Sequence, residues 1–101
     1  MTEDETGIVG APQANVAAFE AQLAADGFEI LPRDLAAGTV VPDHVHDFEV
    51  RALVTGGAID IIRDGESRTY RAGEIFTVAR GEPHAERIGP DGARYIVGRR
   101  A

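Results

Sequence analysis

From Phe28 onward the chain is cut into short β-rich runs by glycine-containing turns, and that punctuation limits the fold more than any other feature. The runs are Phe28–Leu31, Thr39–Val41, Phe48–Thr55, Ala58–Arg63, Ser67–Arg71, Ile75–Val78, His84–Ile88 and Ala93–Gly98. Between them stand Gly56-Gly57, Asp64-Gly65, Ala72-Gly73, Gly81-Glu82-Pro83 and Gly89-Pro90-Asp91-Gly92. Asp-Gly between two such runs supplies the positive-φ pair that a two-residue hairpin demands. About eight strands at roughly 8–12-residue spacing predict an all-β sandwich or barrel.

One helix is expected ahead of the strands, over residues 15–26. Asn15 can cap its N-terminus, Val16, Phe19 and Leu23 recur at i, i+3 and i+7, and Asp26-Gly27 ends it. Its apolar stripe is narrow, which predicts a helix packed on the outside of the β structure. Residues 1–14 are polar and acidic with no apolar period, and a flexible leader is expected there. The remainder, 15–101, is expected to be a single domain, with a barrel over about 28–99.

Composition removes many chemistries. With no Cys there is no thiolate nucleophile or thiolate-held metal, and without Lys no Schiff base can form. The only Ser, Ser67, lies beside a hairpin tip, a poor place for a serine hydrolase nucleophile. A net charge of −7 repels phosphate backbones, so no nucleic acid partner is expected. No run nears the ~20 apolar residues of a membrane span. The start Met1-Thr2-Glu3-Asp4-Glu5 has no signal-peptide pattern, which predicts a cytoplasmic protein without membrane attachment. His, carboxylate, Arg, Tyr or a bound metal must carry any chemistry.

The chain has three histidines. His44 and His46, two apart at a strand, project from one face, and neutral imidazoles so placed can converge on a cation. His84 opens a later strand that a closed β structure could bring alongside. In the sequence, Gly38-x5-His44-x-His46-x2-Glu49-x6-Gly56 is followed by Gly73-x5-Ala79-x-Gly81-x2-His84. These two stretches resemble the signature motifs of the cupin superfamily, with Ala79 and Ile88 standing where the family pattern has Pro and Asn. The resemblance covers about residues 28–99.

The resemblance implies a jelly-roll β-barrel of the small single-domain type, holding one mononuclear divalent transition metal on His44, His46, Glu49 and His84. Mn, Fe, Co, Ni, Cu and Zn all suit imidazole and carboxylate donors. Glu49 lies three residues after His46, an odd offset that in a regular strand places it on the opposite face. A bulge near Asp47-Phe48 would bring it inward; otherwise Asp47 or water completes the coordination.

With Glu49 inward, alternation would make Arg51 inward too, as a clamp for a substrate carboxylate or paired with an interior acid; the alternative is that Arg51 and Glu49 both face outward. Glu86 shares the face of His84 and is expected to serve as a base, a partner of an imidazole N–H, or a rim charge. Tyr95 is a candidate proton donor, and Phe48, Phe76 and Tyr95 are candidate walls. Arg99 and Arg100 read as a solvated tail. Val50, Ala52 and Val54 would then form an outer apolar face, which predicts a homodimer. The implied activity is metal-dependent chemistry on a small organic molecule, of dioxygenase, isomerase or cyclase type; the alternative is a non-catalytic sensor of a small molecule or metal.

Overall fold

The computed structural model describes residues 16–101. The expected leader at 1–14 and the cap at Asn15 lie outside the described residues. Residues 16–25 form helix α1. Strands follow as β1 (Glu29–Leu35), β2 (Val40–His44), β3 (Glu49–Arg63), β4 (Glu66–Arg71), β5 (Ile75–Val78) and β6 (His84–Arg100). All pairings are antiparallel. Among the described residues no helix is long and apolar enough to cross a membrane.

Two long strands organise the fold. The C-terminal half of β6 pairs with β1 and with the first half of β3, which in turn pairs with β5. The N-terminal half of β6 pairs with β2 and with the second half of β3, which also pairs with β4. β3 and β6 thus pass through both layers of a jelly roll, and the apolar core fills the space between.

The turns that the sequence placed at Gly56-Gly57 and at Gly89–Gly92 are corrected here. Both segments lie inside continuous strands, of 15 residues in β3 and 17 in β6, so the number of strands falls to six. Each segment instead shifts the strand's phase. In β3 the core positions are Val50, Ala52 and Val54, then Ile59 and Ile61; in β6 they are Ile88, then Ala93, Tyr95 and Val97. The even-numbered face becomes the odd-numbered one, and the β3–β6 register shifts between Val54/Gly56 and Gly57/Ile59. Such bulges bend a strand so that one chain can serve two layers. Glycine is required at position 57, where φ is +68° and a Cβ would stand 2.0 Å from the Gly92 carbonyl oxygen.

The local signals elsewhere act as the sequence suggests. Asp64 (φ 51°) and Gly65 (φ 78°) close the β3–β4 hairpin as a positive-φ pair. Gly27 ends α1 at φ 81°; the Gly27 N–H donates to Ala24 O at 3.1 Å and the Phe28 N–H to Leu23 O at 2.9 Å, the double closure of a Schellman cap. α1 packs outside the barrel, where Phe19, Leu23 and Phe28 bury against Leu53. Leu53 alternates with Val50, Ala52 and Val54, so the face of β3 expected to need a partner subunit is the barrel interior, and the outer face is covered by α1. The apolar-face argument for a homodimer does not survive this parity.

Candidate metal and ligand site

Each histidine is positioned by backbone pairing. His44 ends β2 directly opposite His84 at the start of β6. His46 follows in the β2–β3 loop, and its carbonyl accepts the Gly81 N–H at 2.8 Å, which ties that loop to the β5–β6 turn. The three rings meet, with centroid separations of 4.9 Å (His44–His46), 4.2 Å (His44–His84) and 4.8 Å (His46–His84). One nitrogen from each lies within 4.8 Å of the other two.

The hydrogen bonds select which nitrogens face the centre. His44 Nδ1 lies 2.8 Å from Pro42 O and His84 Nδ1 3.0 Å from Glu82 O. A carbonyl only accepts, so both Nδ1 atoms carry the proton and both Nε2 atoms present a lone pair. His84 Nε2 is buried with no hydrogen-bond partner. An orphaned lone pair of that kind is costly unless something fills the gap. His44 Nε2 and His46 Nε2 are 3.1 Å apart, close to the ~3.3 Å expected of two imidazoles on a tetrahedral zinc at ~2.0–2.1 Å. His46 is held below the usual imidazole pKa, first by burial and then by repulsion from His84, His44 and Arg99, which favours the neutral ring a metal needs. The donor set fits a divalent transition metal.

Around this cluster lies a cavity of about 290 Å³. Its apolar walls include Val50, Phe76, Val78 and Val97, and Phe48 stacks on His46 at 4.6 Å and 6°. Glu86 Oε2 stands 3.6 Å from His84 Nε2. Tyr95 faces the same space; burial, followed by the nearby Glu86 carboxylate, pushes its phenol up to about 12, so it stays protonated at neutral pH. Glu86 therefore enters the cavity, as its strand parity with His84 suggested, and Tyr95, named only as a candidate wall and proton donor, enters it too.

Glu49 and Arg51 do not: the inward expectation is corrected for both, and the alternative in which they face outward together holds. No bulge forms at Asp47-Phe48, so the odd offset holds and Val50, not Glu49, faces the cavity. Glu49 accepts Arg100 Nη2–H at 2.6 Å and Nε–H at 3.0 Å on the outer face. Arg51, on that same outer face, donates to Asp26 at 2.8 Å with its guanidinium 4.5 Å from the Phe28 ring. Asp47 is exposed and lies outside the histidine cluster.

Two charged cavity residues were missed. Arg99 belongs to β6, not to a tail, and its guanidinium lies 5.3 Å from the Phe48 ring centre. Alternation from Tyr95 through Val97 reaches it, a signal obscured by its position two residues from the end of the sequence. Arg33 lies on β1 opposite Tyr95, a pairing that only the sheet register reveals.

The sequence profile described as "Cupin domain" matches residues 33–97. No curated protein matches in sequence. Many solved structures share the fold. A structural-genomics protein of unknown function from Rhizobium leguminosarum superposes with a TM-score of 0.68 at 23% identity, covering 73% of this chain and 70% of that one. The polyketide cyclase RemF from Streptomyces resistomycificus gives 0.63 at 25% identity, covering 75% and 58%. The DMSP lyase DddQ from Ruegeria pomeroyi gives 0.67 at 23%, covering 75% of this chain and 39% of the lyase. The chain thus spans under two thirds of either enzyme.

Proposed function

The chain belongs to the cupin domain family, and on that basis we propose that it holds one divalent transition-metal ion on His44, His46 and His84 and acts on a small organic ligand in the adjoining cavity. The observation that carries this reading is the buried, unpartnered His84 Nε2 aimed at a point where two further imidazoles converge. Nitrogen donors without thiolate suit Mn, Fe, Co, Ni, Cu or Zn. When bound, such an ion polarises a ligand oxygen.

The chain's own residues supply the rest. Pro42 O and Glu82 O lock the tautomers of His44 and His84, keeping both Nε2 atoms unprotonated. Val50, Phe76, Val78 and Val97 keep bulk water from the inner wall. Glu86 is the carboxylate placed to accept a proton from a ligand lying against the cluster, and Tyr95, protonated at neutral pH, is the group placed to donate one. A paired acceptor and donor could move a proton within a small ligand, as isomerisation and cyclisation require. The cyclase RemF, at 25% identity, is a relative in keeping with that class.

Elemental analysis tests the reading. Purified or metal-reconstituted protein should carry about one ion per chain, and His84→Ala should lose it while keeping its β-sheet spectrum. Folded protein that takes up no ion after reconstitution, or a His84→Ala variant that binds as well as the parent, refutes it.

A further inference from the structure

The charge at the mouth of the cavity is opposite to that of the protein. The chain carries −7 overall, yet the charged side chains lining the cavity are Arg33 and Arg99 against Glu86 alone. Both arginines come from the paired strands β1 and β6. Arg33 sits opposite Tyr95, and Arg99 lies four residues further along β6 on the same face, roughly 13 Å away at a strand rise of ~3.3 Å. That span brackets the cavity: Arg99 is beside Phe48 and His46, and Arg33 is beside Tyr95.

Neither guanidinium is consumed by the protein. Arg99 forms an ion pair with Glu29 through a single N–H at 2.9 Å, which leaves the other four of its five donors free of that acid. Arg33 has no ion-pair partner among the described residues. Elsewhere the same sequence uses arginine as a structural clamp: Arg51 holds Asp26, Arg63 holds Glu82 and Arg100 holds Glu49, each outside the cavity. Two under-used guanidiniums facing a small apolar-walled hollow are a recognition device for a planar anion, which arginine binds through paired N–H groups.

We propose that the cavity selects small organic acids, with the carboxylate of the ligand held by Arg33 or Arg99 while the remainder lies against the histidine cluster. This deepens the metal-site reading and rests on it for the role of the cluster. The arginine contacts themselves do not depend on the ion. Neutral amides of the same shape are discriminated against, because they lack the charge that strengthens each N–H···O contact.

The test is calorimetric titration of the metal-reconstituted full chain with two isosteric pairs, pyruvate against pyruvamide and phenylacetate against phenylacetamide. Each protein sample is assayed for metal content and for melting temperature. Acids should bind at least about tenfold tighter than their amides. That preference should collapse in Arg33→Gln, in Arg99→Gln or in both, with metal content unchanged. Equal binding of acid and amide overturns the proposal, as does a preference that survives the double variant. If the parent holds no metal, the metal-site reading fails separately. The acid-over-amide ratio in the same sample, with and without the two arginines, still decides the present proposal.

Discussion

Replacing Glu49 by Gln separates what the family motif implies from what the strand parity dictates. Glu49 Oε1 accepts two N–H groups from Arg100, at 2.6 and 3.0 Å, and both side chains are 40% exposed. An ion pair that open to solvent contributes less than about 1 kcal/mol. Gln retains an oxygen for Arg100, and Arg100 keeps its 2.6 Å bond to the Asp26 carbonyl, so part of the contact persists. For a domain of this size 1 kcal/mol corresponds to ~4–8 °C in melting temperature. Glu49→Gln should therefore lower Tm by less than about 4 °C. Its effect on metal affinity, measured by chelator competition, should stay within about twofold. Removing a group that merely supports a ligand typically costs ~10–100-fold, and removing a ligand costs no less. A tenfold or greater loss of affinity in Glu49→Gln, with melting intact, would show that Glu49 reaches the ion and that the parity of β3 has been misassigned.

Two further outcomes follow from the fold itself. Gly57→Ala, which puts a Cβ 2.0 Å from Gly92 O at a positive φ, should destabilise by roughly 3 kcal/mol or more in urea titration; a loss below about 1 kcal/mol would mean the bulge can relax. Asp26 is held below its ordinary pKa of 3.8, first by the hydrogen bond from Arg51 and next by that from Gln22, so the carboxylate stabilises the folded state above pH 3.8 and that contribution is lost as pH falls through the lower folded-state value. The Tm of Asp26→Asn should consequently lie below that of the parent at neutral pH and converge with it in acid; curves that stay parallel down to the acid limit would contradict this.

Much of the architecture was legible because its signals are local. Asp64-Gly65 specifies a hairpin through two residues, and Gly27 closes α1 through its own left-handed conformation. The convergence of the histidines was legible because His44 and His46, two apart, share a face and His84 opens the strand paired with β2. What escaped the sequence was tertiary. Gly56-Gly57 and Gly89–Gly92 carry the composition of turns, and only pairing with a neighbouring strand holds such segments extended. The offset of three between His46 and Glu49 predicted opposite faces by simple alternation, and alternation was right where the family expectation was not. Arg33 could not be found from the sequence, because its place in the cavity depends on the β1–β6 register, a contact between residues more than sixty positions apart.

The phase change at Gly89–Gly92 imposes an arithmetic on this chain's tolerance of insertions and deletions. His84 and Glu86 sit on even positions upstream of it, Tyr95 and Arg99 on odd positions downstream, and all four meet in one hollow. Losing or gaining a single residue there would evert Tyr95 and Arg99 toward solvent while leaving the imidazoles in place; a change of two would restore them. Length variation in that segment is therefore constrained by oddness and evenness more than by size, and drift by one residue would strip Tyr95 and Arg99 from the cavity wall while sparing the imidazole cluster.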